Sequence, residues 1–267
     1  MTRSLLLRIL SAAVLIPLAL AAAWAGGPWF AAVVGIFALG MAWEWGRICD
    51  PPHRTPLQAA AIVVAIAGAA AAAAAGWPVA GIAVAAAGAA AAGMLAGRGG
   101  TAPAWMAPAG TFYIALAVLA VLHIRGAADA RPTLWLFAVV WATDIAAYGA
   151  GRSIGGPKLA PRFSPHKTWS GLLGGATVAA LVGWAVAAAT GGPAVAVALA
   201  AAFLLAFVAQ AGDLAESAAK RYAGIKDASG LIPGHGGVLD RLDGLMAAAL
   251  AFAALRHLTG EGLLEWR

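Results

Sequence analysis

Charge is scarce in this chain. Asp, Glu, Lys and Arg together make up 10% of its 267 residues, against about 25% in an ordinary soluble domain, and this excludes a large solvated surface. Cysteine is scarcer: Cys49 stands alone, so no internal disulfide can form and a disulfide-stapled fold is excluded. There is no G-x-x-x-x-G-K-[ST] phosphate loop and no H-E-x-x-H zinc motif, which leaves P-loop and zincin chemistry without support. No basic run interleaves with aromatic residues, so nucleic acid is not an expected partner.

What the chain has instead is apolar length. It is 63% hydrophobic, with a mean hydropathy of +0.86. About 20 apolar residues cross a bilayer as a helix. Segments of that kind fall at 5–25, 28–46, 57–76, 78–97, 108–124, 132–151, 171–190, 193–214 and 240–258. The expected fold is all-α, a polytopic membrane protein of about nine transmembrane helices. Residues 1–131 read as an N-terminal scaffold and 132–267 as a catalytic region, both within one integrated membrane domain. Arg3 and Arg8 ahead of an apolar core also imitate a signal peptide; with eight further spans behind it, an uncleaved first helix is the expectation.

Orientation follows from the basic residues. With the N-terminus inside, Arg3, Arg8, Arg47, Arg54, Arg98, Arg152, Lys158, Arg162, Lys167, Lys220, Arg221, Lys226 and Arg241 are all cytoplasmic, and only Arg125, Arg131, Arg256 and Arg267 fall outside. The sequence pI of about 10.1 then reflects loops facing anionic headgroups. The expected location is a bacterial-type cytoplasmic (inner) membrane with the site facing the cytoplasm.

Two cytoplasmic stretches carry the polar chemistry, and the half before residue 140 reads as scaffold. The first holds Asp144, Tyr148 and Arg152, spaced i, i+4, i+8 on one helix face, then Ser164, His166, Lys167, Thr168 and Ser170. Lys167, Ser164 and Thr168 suit a compact Pro-initiated turn presenting all three to phosphate. The second begins on span eight, where Gln210, Asp213, Ser217 and Lys220 share a face beside Glu216. It continues through Arg221, Lys226, Asp227 and Gly234-His235-Gly236-Gly237 to Asp240, Arg241 and Asp243. Charges next to hydrocarbon are costly and mark ion or substrate sites.

Asp213, Asp240 and Asp243 converge from two helix ends and supply hard oxygen donors of the kind Mg²⁺ accepts. The glycines allow backbone N–H groups to turn toward anionic oxygens. Lys167, Lys220, Arg221, Lys226 and Arg241 are cations suited to phosphate, and His235 suits a hydrogen bond to phosphate more than a metal. Acids for a metal plus bases and glycines for phosphate form the inventory of phosphoryl or nucleotidyl transfer.

The run Ser217-x-x-Lys220-Arg221, Lys226-Asp227, Pro233-Gly234-His235-Gly236-Gly237, Asp240-Arg241-x-Asp243 resembles the signature of the phosphatidate cytidylyltransferase (CDP-diacylglycerol synthase) family. Asp144-x3-Tyr148-x2-Gly151-Arg152 and Ser164-Pro165-x-Lys167-Thr168-x2-Gly171 resemble it too, so the likeness covers about residues 140–258. His166 and Ser170 depart from the family's usual Lys and Glu. The resemblance implies that CTP and phosphatidic acid give CDP-diacylglycerol and pyrophosphate. It implies a polytopic homodimer among membrane lipids, with Mg²⁺ held by Asp213 and Asp240 and K⁺ as a possible second cation. It implies catalytic roles for Asp213, Asp240, Lys220 and Asp243. Substrate contacts are implied for Asp144, Arg152, Ser164, Lys167, Thr168, Ser217, Arg221, Lys226, Asp227, His235, Gly236, Gly237 and Arg241. The alternatives are a CTP-dependent lipid or polyprenol kinase, which would move the γ-phosphoryl group, and a secondary transporter. A transporter is disfavoured because the polar residues crowd into one half without an internal repeat.

Overall fold

The structure is a computed structural model; it describes residues 3–50, 55–96, 103–126, 129–259 and 264–266. Among these, nine helices follow in order: α1 (Arg3–Ala25), α2 (Gly27–Cys49), α3 (Pro56–Ala74), α4 (Pro78–Met94), α5 (Met106–Arg125), α6 (Arg131–Ile154), α7 (Trp169–Ala189), α8 (Val195–Tyr222) and α9 (Leu239–Leu258). Each apolar segment expected from the sequence is a helix. Seven of them are long and apolar enough to cross a membrane. The count of nine spans is therefore not established by length and composition: α4 has 17 residues, and α9 carries Asp240, Arg241, Asp243 and Arg256 within 20. Arg54, Arg98 and Arg267, used in the orientation argument, lie outside the described residues.

Two departures from the sequence reading bear on function. Helix α8 runs eight residues past the expected end at 214, because Ala215–Tyr222 are good helix formers although they are not apolar. It stops at Gly224, whose φ of +74° sets the left-handed C-terminal residue of a Schellman motif. Ile225 N–H donates to Lys220 O at 2.9 Å and Gly224 N–H to Arg221 O at 3.1 Å. Ser217, Lys220 and Arg221 are thus helical. The second departure is a small sheet, β1 (Lys158–Ala160) paired antiparallel with β2 (Ser164–Thr168). The expected compact turn at 164–168 is instead extended strand. Neighbouring side chains of a strand point to opposite faces, so Lys167 and Thr168 cannot face one ligand together.

The internal contacts divide the chain into two compact units, Met1–Ala128 with Ala218–Leu242, and Asp129–Ser217 with Asp243–Arg267. In the first, α2, α3, α4 and α5 pack on one another around buried Ile62, Ala65, Ile66, Ile114 and Val118. Small residues make this possible: a Cβ on Gly110 would lie 1.9 Å from the Trp45 ring, and such close approach drives helix association in lipid. Arg125 is buried and donates to Ala23 O at 2.5 Å and Trp24 O at 3.2 Å, meeting carbonyls that the end of α1 leaves without helical partners. Cys49 is buried.

In the second unit α6 packs on α7. Thr168 caps α7 by accepting from Gly171 N–H at 3.1 Å. Trp135 donates to Gly183 O at 2.7 Å and lies 5.2 Å from the ring of Phe252 and 5.7 Å from that of Trp266.

Candidate active site

In the first unit the chemistry gathers where the glycine loop enters α9. Asp240 stands in the first turn of α9. Its carboxylate accepts Lys220 Nζ at 2.5 Å, Gly237 N–H at 2.7 Å and Ala228 N–H at 3.1 Å. Lys220 is itself buried, so this is a desolvated ion pair with its remaining oxygen capacity met by backbone. Removing one partner of such a pair costs about 3–5 kcal/mol, because the other charge is left buried and uncompensated.

Before Asp240 the loop folds on itself. Ile232 pairs with Gly236, and the N–H groups of His235 and Gly236 donate to Ile232 O at 2.9 and 3.1 Å. Val238 N–H and Leu239 N–H donate to Glu44 on α2 at 2.8 and 2.7 Å, and the Ser229 hydroxyl also donates to Glu44. The expectation that Gly236 and Gly237 turn their N–H groups to a phosphate needs correction on this point. Every backbone donor from 235 to 239 is engaged inside the protein, and the anionic oxygens met by 237, 238 and 239 belong to Asp240 and Glu44. Glycine at 236 and 237 is explained by close approach instead. A Cβ at Gly236 would lie 2.8 Å from Asp240 Oδ2, and one at Gly237 2.5 Å from Glu44 Oε1.

The outer side of the loop meets α1. Arg8 Nε donates to Gly234 O at 3.0 Å, and Ser11 Oγ lies 2.6 Å from His235 Nδ1. Arg241 Nε donates to His235 O at 3.0 Å. Partial burial, then the charges of Arg241 and Arg8, hold the His235 imidazole below its ordinary value of 6.5. The ring is neutral at pH 7, so it can offer a phosphate a hydrogen bond but no charge. Arg221, Lys226 and Asp227 are exposed.

In the second unit the acids are arranged differently. Lys167 reaches from β2 to Asp213 Oδ2 at 2.6 Å and to Gln210 Oε1 at 2.9 Å. Gln210 in turn donates to Asp144 at 3.3 Å, and Ser217 donates to Asp213 at 3.3 Å. Asp243 has Asp213, Glu216 and Asp144 as electrostatic neighbours, and both Glu216 oxygens are buried. Three carboxylates thus act on Asp243, and the Lys167 ammonium is bonded to one of them, Asp213. Arg152 stands exposed at the end of α6, with Asp144 and Tyr148 on the same face. Thr168, expected at phosphate, is buried as the α7 cap, and Ser164 is paired in β2 opposite Ala160.

Two residues were not singled out as site residues by the sequence reading. Gln210 joins Asp144 to Lys167. Glu44 is an acid in the middle of an apolar helix, between Trp43 and Trp45. The rule that flagged Asp144, a charge inside a span, applies equally to Glu44 and was the available signal.

These two constellations have the chemistry of a phosphate-handling membrane enzyme, and comparison with known proteins agrees. The cytidylyltransferase family profile matches residues 6–259, so the chain belongs to that family. Its similarity reaches well before residue 140, which widens the likeness read from the sequence. A phosphatidate cytidylyltransferase of Brucella suis is 42% identical over 263 residues, covering 95% of this chain and 92% of the relative. One from Pseudomonas aeruginosa is 38% identical over 278 residues, covering 96% and 98%. One from Haemophilus influenzae is 43% identical over a shorter stretch of 125 residues.

Proposed function

We propose that this protein transfers the cytidylyl group of CTP to phosphatidic acid, giving CDP-diacylglycerol and pyrophosphate for phospholipid synthesis. The observation that carries this reading is full-length similarity to phosphatidate cytidylyltransferases of matching length. We further propose nine spans with the N-terminus inside, a bacterial inner-membrane location, a cytoplasm-facing site and a homodimer. The support for these is the distribution of Lys and Arg and the family resemblance.

A phosphate oxygen of phosphatidic acid attacks the α-phosphorus of CTP in line. The new P–O bond forms as the bond from the α-phosphorus to the oxygen bridging the β-phosphorus breaks, and pyrophosphate leaves. The attacking phosphate has a second pKa of about 6 and is largely ionised at neutral pH, so no strong general base is required. Lys167, Lys220, Lys226 and Arg241 offset the charge of the triphosphate and of the departing pyrophosphate. Lys167 already sits between an acceptor amide and Asp213. A phosphate oxygen offered there competes with Asp213 for the same ammonium.

The acids of the second unit fit a hard divalent cation. Asp213 and Asp243, with Asp144 and Glu216 as neighbours of Asp243, are hard oxygen donors. Among the described residues no three His, Cys, Asp or Glu side chains form a ready cage. Mg²⁺ binds through one or two carboxylates plus substrate phosphates, and bound here it would neutralise phosphate charge. Asp240 accepts three donors, and a metal ligated by it must displace Lys220. K⁺ as a second cation stays a proposal on resemblance alone.

The direct test supplies purified protein with CTP labelled in cytidine, phosphatidic acid and Mg²⁺. Cytidine label in a lipid of CDP-diacylglycerol mass is expected. Label arriving only from the γ-phosphate would establish a lipid kinase instead. For topology, buried Cys49 is a poor reporter, so Ala194→Cys and Arg162→Cys are made in a Cys49→Ala background; both positions are exposed. An impermeant thiol reagent should label position 194 in intact cells and not 162. The reverse would overturn the N-in arrangement.

A further inference from the structure

We propose that Glu44 is a positioning residue for the reaction, acting from α2 on the loop that leads into α9 and sets Asp240 and Arg241 in its first turn. The inference rests on the cytidylyltransferase reading above. Glu44 is fully buried, at 0% exposure, and belongs to no part of the signature run. Its two oxygens collect three donors from residues 185–195 positions away: Ser229 Oγ–H and Val238 N–H at Oε1, and Leu239 N–H at Oε2. A buried carboxylate without donors would be severely penalised. Here its oxygens are met entirely by one loop, so the loop's position and the carboxylate's position depend on each other.

The placement has a specific consequence. The first N–H groups of a helix have no helical acceptor, and a carboxylate there also gains from the helix dipole. Glu44 supplies that acceptor to α9 from a distant helix. Asp240 takes the preceding donor, Gly237 N–H. Three successive N–H groups, 237 to 239, are therefore pinned by two carboxylates. Rotation of this segment moves the Asp240 carboxylate off Lys220 and swings Arg241. Gly237 is part of the device, since a Cβ there would lie 2.5 Å from Glu44 Oε1 and 2.9 Å from Ala228 Cβ. Only a carboxylate provides acceptors on both atoms. An amide turns its NH₂ toward one of the donors, and an apolar residue leaves all three facing nothing.

The experiment uses full-length protein in mixed micelles, with rates normalised to folded protein. Glu44→Gln should fold cooperatively yet lose about 10- to 100-fold in kcat/KM, the scale expected when a supporting group lets reacting groups drift by about 1 Å. Glu44→Asp, which keeps the charge on a shorter arm, should recover part of the loss. Ser229→Ala removes one donor and keeps both backbone bonds, so it should shift kcat/KM in the same direction by less. A folded Glu44→Gln enzyme with wild-type kcat and KM overturns the proposal and makes Glu44 a fold-stabilising residue only. If Glu44→Gln does not fold, Ser229→Ala decides: a kinetic loss at unchanged melting temperature supports positioning, and wild-type kinetics overturn it. Failure of the parent reading is distinct, because the wild-type protein would then form no CDP-diacylglycerol.

Discussion

The acids around the glycine loop and the acids around Asp213 differ in how their charge is met. Asp240 and Glu44 are saturated: one lysine, one hydroxyl and four backbone N–H groups converge on two carboxylates. Asp243 has Asp213, Glu216 and Asp144 as electrostatic neighbours, and Lys167 is bonded to Asp213 and Gln210. Saturated carboxylates hold backbone in place, since their oxygens have little left to offer. Carboxylates close to other carboxylates gain from an arriving cation. The contrast teaches that acids in one apolar chain differ in how their oxygens are met, though all are read as the same kind of letter.

The sharpest way to break this comparison is to neutralise one acid of each kind. Asp213→Asn and Asp243→Asn should each lower turnover by about 10²-fold or more, the scale of losing one electrostatic stabiliser, with melting temperature little changed because like charges are relieved. Measuring both turnover and thermal unfolding checks it; near-normal turnover in either folded mutant would remove that residue from the cation group. Lys220→Met should do the opposite in kind. It leaves Asp240 buried without its partner, destabilising by about 3–5 kcal/mol, seen as a lowered unfolding midpoint. A mutant as stable as wild type would show that Asp240 is not held as a desolvated pair.

A smaller effect is expected at Lys167. Lys167→Ala should raise the KM for CTP or lower turnover in well-folded protein, and Lys167→Arg should restore only part, because a planar guanidinium does not replace a compact ammonium between Asp213 and Gln210. Kinetics with each substrate varied decide it, and wild-type behaviour of the alanine mutant would leave Lys167 as a lipid-headgroup anchor. The smallest effect belongs to His235. Its folded-state value lies below 6.5, so the unfolded chain takes up the proton first. Stability should be full above 6.5, the unfolded value, and decline as pH falls below it toward the lower folded-state value. His235→Gln should flatten that slope, and melting curves of both proteins across the range will show whether it does.

Helix existence was legible in the sequence because lipid-spanning apolar runs are long, uniform and interrupted at their ends. All nine segments are helices, with ends close to those expected except at α8. That end was missed because hydropathy reports where lipid stops, whereas a helix continues until a residue such as Gly224 turns the chain. Most candidate residues were legible as types: acids and bases in an apolar chain need partners. Their division into roles was not. Thr168 reads as a phosphate ligand and is a helix cap; Gly237 reads as part of a phosphate cradle and is the space that lets Glu44 approach.

The sequence by itself determined that this is a membrane-embedded helical protein of the cytidylyltransferase kind, because hydropathy is a local property and the signature run is contiguous. Only the tertiary structure decided which charges meet. Glu44 finds Val238 and Leu239 across more than 190 residues, and Lys167 finds Gln210 and Asp213 across more than 40. A hydrogen bond requires atoms within about 3 Å, and no spacing along the chain encodes a distance of that kind between separate helices.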